Sequence, residues 1–346
     1  MDHPSPLIGR QSQSFGIRLV TLEDGPGRGV RLLQGWTEAG LSFEIVVDRG
    51  FDIGDARLGA RALAFHGPGG IRAPGLYDPH GTEAWLRGFT GGLLMTGGLD
   101  HVGGGAEDDA SRFAYPGRDR ETFPLHGRLT GEPATLRAYG AEDGRLWAEA
   151  EVDQAMLYGE RLRLIRRIEA EDTTITVTDQ VTNLGRATNP VPMLYHCNLG
   201  WPLLAPGGRL HLEAEEVRAC GEFDTEGWNR VPEPRDGFVE EVLEIRPKIR
   251  SGRAESLLVN ADRDLALRQS WDAREMPWLY LWRQFAPCTF VMGVEPSNVP
   301  ALSRADLSER DLMPTLEPGQ SRTTSLSLTA FGGARAREAA EKVEMS

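Results

Sequence analysis

Thr173-Thr-Ile-Thr-Val-Thr-Asp-Gln-Val-Thr182 decides the fold class. Ile175 and Val177 fall on one face and threonines on the other, and the run stops at Asn183-Leu-Gly185. β-Branched residues at period two, ended by Asn and Gly, predict a strand of an antiparallel sheet. Working outward, Arg161–Ile168 reads the same way, with Leu162 and Leu164 facing inward. So do Leu146–Val152, Ser42–Val47 and Thr324–Thr329. Trp278–Trp282 and Thr289–Val294 read as two strands joined through Ala286-Pro287. Helical signals are few. Ser303 to Arg310 predicts one or two turns, with Ser303 as N-cap and Asp306 in the reciprocal position. Residues 333–346 predict a terminal helical tail. Many short strands with turns between them predict an all-β, predominantly antiparallel sandwich, one domain over residues 1–332.

Composition narrows the function classes. The chain of 346 residues carries 38 Lys and Arg against 51 Asp and Glu, a net charge of −13. That balance argues against a nucleic-acid or anionic-membrane partner, because phosphate-binding surfaces need excess cations. Forty-one glycines and 22 prolines suit a fold with many turns. The three cysteines, Cys197, Cys220 and Cys288, are odd in number and lack metal-ligand spacing, which argues against a disulfide framework or a thiolate zinc site. With no basic leader, no long apolar run and no Asn-x-Ser/Thr acceptor, a cytoplasmic location is expected.

Four features could carry chemistry. The glycine-dense stretch Gly91–Gly105 fits neither the P-loop nor the dinucleotide fingerprint, so close backbone approach is the simpler reading. Of seven histidines, His3 and His80 sit in polar, Pro-containing stretches and read as surface residues. His126 lies in Pro-Leu-His-Gly-Arg and His196 in the apolar Leu-Tyr-His-Cys-Asn-Leu. Glu295 ends the apolar run Thr-Phe-Val-Met-Gly-Val, where a carboxylate is costly unless paired or functional. Several of the eight tryptophans stand beside charged residues: Trp85 with Arg87, Trp271 with Asp272 and Trp282 with Arg283. Such pairs read either as core and rim packing or as a sugar platform.

Taken together, Val181–Gly200, the Gly91-Gly-Leu-Leu-Met-Thr-Gly-Gly-Leu and Pro124-Leu-His-Gly-Arg-Leu pair, Met292-Gly-Val-Glu-Pro-Ser-Asn298 and Leu316-Glu-Pro-Gly-Gln-Ser321 resemble the aldose 1-epimerase (galactose mutarotase-like) superfamily. Asp48-Arg-Gly-Phe-Asp-Ile-Gly54 and Phe89-Thr-Gly-Gly-Leu-Leu93 are similar to its DUF4432 branch. The resemblance implies a β-supersandwich with a sugar cleft on one concave sheet. It implies His196 as catalytic acid, Glu295 as catalytic base and His126 as a substrate-binding histidine. Asp272 would bind a ring hydroxyl, Arg87 an anionic group, and Trp85, Asn198 and Trp282 would complete the substrate site.

That set suffices for mutarotation, with no metal or organic cofactor. A base takes the anomeric proton, an acid protonates the ring oxygen, and the ring opens and recloses. The rate is then expected to rise with pH through Glu295 and fall through His196. The partner is a small carbohydrate, and a homodimer is compatible with the sequence. Two rivals remain open. One is a lyase or metal-assisted epimerase using His126, His196 and Glu295 with His66 or His101. The other is a non-catalytic carbohydrate-binding protein.

Overall fold

The computed structural model describes residues 6–76 and 81–345; His3 and His80 lie outside them. Alternating burial organises the described residues into three larger sheets, with every strand pairing antiparallel. An eight-stranded sheet runs in the order Arg209–Leu212, Arg253–Val259, Leu265–Asp272, Ser321–Gly332, Thr174–Asn183, Arg161–Glu171, Arg145–Ala155 and Thr135–Glu142. A six-stranded sheet runs Ala214–Ala219, Glu241–Pro247, Trp278–Ala286, Thr289–Ser297, Leu194–Leu199 and Met95–Gly97. A five-stranded sheet takes the chain from Gly16 to Ala62. One continuous core, from Leu33 to Ala330, fills the space these sheets share.

The strands follow the sequence pattern. Ile175 and Val177 are buried on the same face, opposite the threonines. Trp278–Ala286 and Thr289–Ser297 form the hairpin read at Ala286-Pro287. Helices are short: α1 (Gly81–Arg87), α2 (Arg304–Glu309) and α3 (Ala334–Glu344). Ser303 caps α2, accepting from the Asp306 amide at 3.1 Å and donating to the Asp306 carboxylate at 2.6 Å. Helix α3 is docked: Ala336, Ala339 and Ala340 pack on Leu257, Val259 and Ala266 of the eight-stranded sheet. No helix among the described residues is long and apolar enough to cross a membrane.

One polar cluster ties the three sheets together. Arg166 is fully buried and stands directly opposite Asp179. Its Nε and Nη2 donate to the two Asp179 carboxylate oxygens at 2.8 and 2.7 Å. Nη1 donates to Asp52 Oδ1 at 2.6 Å and to the Gly50 carbonyl at 3.3 Å. Nη2 also donates to Thr96 Oγ1 at 2.9 Å. All five guanidinium N–H groups are satisfied. The Tyr195 hydroxyl donates to Asp179 Oδ2 at 2.9 Å, and Thr96 donates its amide and hydroxyl to Asp52. Removing one member of a buried pair leaves an uncompensated charge. Arg166→Met is therefore expected to lower the unfolding free energy by about 3–5 kcal/mol; urea titration followed by tryptophan fluorescence measures it, and a loss under about 1 kcal/mol would reject this cluster as the clamp.

Candidate active site

Strand parity builds the site. In Leu194–Leu199, Tyr195, Cys197 and Leu199 enter the core, so His196 and Asn198 face the other way. In Thr289–Ser297, Met292 and Val294 enter the core, so Gly293 and Glu295 share the His196 face. Cys197 pairs with Val294, and this register sets His196 beside Glu295. His196 Nε2 lies 3.2 Å from Glu295 Oε1.

Gly293 makes that contact possible. The Glu295 carboxylate folds back along its own strand, and a Cβ on Gly293 would overlap it. Gly97 plays a similar part on the far strand. A Cβ there would stand 3.2 Å from the His126 Cβ and 3.3 Å from the Leu194 Cβ. The glycine-dense stretch thus admits the His126 loop rather than a phosphate. His126 follows the strand Arg120–Phe123 in a left-handed turn at φ +53°. Its amide donates to the Gly103 carbonyl at 2.9 Å and its carbonyl accepts from Gly98 at 2.8 Å. The Gly103 amide donates to His126 Nδ1 at 3.3 Å, so Nε2 carries the ring proton of the neutral imidazole.

An aromatic cage closes around His196. Ring centroids stand 5.4 Å away for His126, 5.6 Å for Trp282, 5.7 Å for Phe89 and 6.3 Å for Trp85. His196 is 5% exposed and Glu295 2%. Burial pushes the Glu295 carboxyl well above its ordinary range. It pushes His196 down to about 4, and His126 also falls, first through burial and then through repulsion from His196. Four buried polar atoms here lack a hydrogen-bond partner: Trp85 Nε1, His196 Nδ1, Asn198 Oδ1 and Glu295 Oε1.

The structure thus brings together Glu295, His196, His126, Asn198, Trp85 and Trp282. It separates the other two expected residues. Asp272 ends a strand of the eight-stranded sheet, not the six-stranded one, and accepts from the Arg274 amide at 3.2 Å within a turn. Its neighbour Trp271 is core, with Nε1 bonded to the Met276 carbonyl. Arg87 is exposed on α1, about 200° round the helix from the buried Trp85. His66 pairs with Asp55 at 2.9 Å, and His101 binds the Gly104 carbonyl, so neither joins Glu295. Among the described residues, no three His, Cys, Asp or Glu side chains are grouped to hold a metal ion. Phe89, Gly293 and Glu240, which accepts from Trp282 Nε1 at 3.0 Å, were not foreseen. A glycine two residues before Glu295 in a strand was the available signal for Gly293.

Solved structures share this fold. A protein named "putative aldose 1-epimerase" from Klebsiella pneumoniae is 20% identical, with TM-score 0.84 over 95% of this chain and 87% of that one. A galactose mutarotase-like protein from Clostridium acetobutylicum is 14% identical, with TM-score 0.64 over 92% and 99%. A galactose 1-epimerase from Lactobacillus acidophilus is 12% identical, with TM-score 0.61 over 92% and 100%. These likenesses show a galactose mutarotase-like fold. No curated protein matches the chain. Residues 27–330 match the family described as "Domain of unknown function (DUF4432)", and the chain belongs to that family.

Proposed function

We propose that this protein is an aldose 1-epimerase-like enzyme that interconverts the anomers of a free sugar at the His196–Glu295 pair. One observation carries the reading. Beside the 3.2 Å contact of His196 Nε2 with Glu295 Oε1, the buried Trp85 Nε1, His196 Nδ1 and Asn198 Oδ1 lack a hydrogen-bond partner, and a buried polar group without a partner is costly. A pyranose supplies what is missing: hydroxyls for the polar atoms and an apolar C–H face for Trp85 and Trp282. The fold shared with a galactose 1-epimerase supports the same direction. Because Trp85 and Phe89 pack against the nearly fully buried His196 ring, a sugar would reach the pair only as side chains around it shift.

The chemistry needs one proton shared by two groups. On opening, Glu295 takes the O1 proton and protonated His196 gives one to the ring oxygen. The C1–O5 bond breaks, and the electrons of the O1–H bond form the aldehyde C1=O1. After rotation about C1–C2, the ring hydroxyl attacks the other carbonyl face. His196 takes back its proton and Glu295 returns one to O1. Each group thus serves once as acid and once as base. Burial favours the neutral form, with the proton on the carboxyl. The 3.2 Å contact lets it pass to the imidazole as the sugar's hydroxyls stabilise the resulting charges.

The pH dependence reverses the order expected from sequence. The singly protonated pair is the working form. Below about 4, the burial-lowered value of His196, the pair gains a second proton and has no base. Above the raised Glu295 value it loses its only proton and has no acid. The rate is therefore expected to rise through the His196 limb and fall through the Glu295 limb. Exchange NMR of both anomers from pH 3 upward checks the order. Glu295→Gln is expected to slow exchange by about 10²–10⁴-fold with the fold intact. Full activity in that variant would favour the carbohydrate-binding reading.

Gly293→Ala tests the placement of the carboxyl. The added Cβ displaces Glu295 from His196. Exchange should slow by at least about tenfold, and the alkaline limb should move down as the carboxyl gains solvent. An unchanged rate and profile, with normal melting, would show that the folded-back carboxyl is not the reacting one.

A further inference from the structure

We propose that the outer face of the eight-stranded sheet carries a second binding site, for a small molecule bearing two or more negative charges. A groove of about 650 Å³ lies there. Sheet parity places its lining. Leu258, Leu267 and Leu210 enter the core, so Leu257, Arg268, Arg209 and His211 face outward. The end of helix α3, at Val343, reaches its edge. The sheet itself stands between this groove and the core on which the His196–Glu295 pair is built.

Charge gives the ligand class. The groove gathers Arg209, Lys248, Arg250, Arg253 and Arg268 against Glu213 and Glu255, in a chain whose net charge is −13. Glu213 is already used: Lys248 approaches it at 3.1 Å and Arg250 at 2.8 Å. Arg209, Arg253 and Arg268 have no carboxylate partner among the described residues. Two of those three are held in place by neutral groups. Arg253 donates to Ser270 Oγ at 2.9 Å, to the Ser270 carbonyl at 2.6 Å and to Ser325 Oγ at 3.2 Å. The Arg268 guanidinium stands over the Phe331 ring at 5.2 Å. Preorganised guanidinium forks lacking carboxylates match oxyanions, and a concave surface focuses their field. The volume suits a metabolite. Phosphate esters and polycarboxylates share the required chemistry.

Isothermal titration calorimetry of the full chain with inorganic pyrophosphate, and separately with citrate, tests the site. It needs no sugar turnover, so it stands or falls apart from the epimerase reading. One-to-one binding of at least one probe is expected, weakening as salt rises from 0.02 to 0.15 M. Binding of pyrophosphate alone assigns phosphate chemistry, and citrate alone assigns polycarboxylates. Arg209→Ala with Arg268→Gln should weaken it by roughly tenfold or more. Arg209→Glu, an exposed edge change, should do likewise without altering the melting curve of the free protein. No heat with either probe at millimolar concentration would overturn the proposal. So would equal affinity in wild type and variants, the mark of an adventitious ion only.

Discussion

A buried guanidinium with all five N–H groups satisfied by protein acceptors fixes how the sheets can meet. Arg166 and Asp179 are direct cross-strand partners in the eight-stranded sheet. Asp52 reaches them from the five-stranded sheet, and Thr96 and Tyr195 from the six-stranded one. Taking such charges out of water costs several kcal/mol per ion, and only correct geometry offsets it. A sheet displaced by an ångström would leave a buried donor or carboxylate oxygen unmatched. Apolar contacts are more forgiving, since they lose little on small slides. The surrounding leucines and valines therefore supply most of the driving force, while the ionic cluster restricts which arrangement satisfies it.

The candidate site sits on the other side of the same strands. Tyr195 and Thr96 belong to the cluster, and their chain neighbours His196 and Met95 are paired across the adjoining strands. Two-residue periodicity makes these assignments inseparable. A strand that turns Tyr195 inward must turn His196 outward. His196 is thereby held from behind by the cluster and from in front by four rings. Its orientation is set by packing on both faces.

Parity also explains what could be read from the chain. The strand pattern at 161–182 was legible because apolar residues recur at every second position. Glu295 and His196 were legible because each breaks an apolar strand with a titratable group. The Arg166–Asp179 pair obeys the same rule, since Arg166 occupies the inward parity of Leu162, Leu164 and Ile168, and Asp179 that of Ile175, Val177 and Val181. Which distant carboxylate would complete the cluster was not written locally, because Asp52 arrives from another sheet. Asp272 failed for the same reason: adjacency to a tryptophan says nothing about which sheet the strand joins. Trp85 and Arg87 diverged because a helix turns about 100° per residue. Phe89 had no local signal beyond its place in Phe-Thr-Gly-Gly, and its role depends on tertiary approach.

The two proposed sites, the cage and the outer groove, differ in charge. Around His196 the walls are rings, Asn198 and a pair whose net charge is zero in either arrangement of its proton. In so dry a site the ion pair pays desolvation twice, while the neutral pair pays little, which accounts for the opposed shifts of Glu295 and His196. On the proposed epimerase reading, a bound sugar would alter that balance without bringing charge: its hydroxyls would donate to the carboxylate and accept from the imidazolium, making the ionic arrangement accessible. A phosphate in the cage would meet a buried carboxyl and an imidazole that burial makes hard to protonate. Arg209, Arg253 and Arg268 instead lie on the outer sheet face, where solvent carries part of the electrostatic cost.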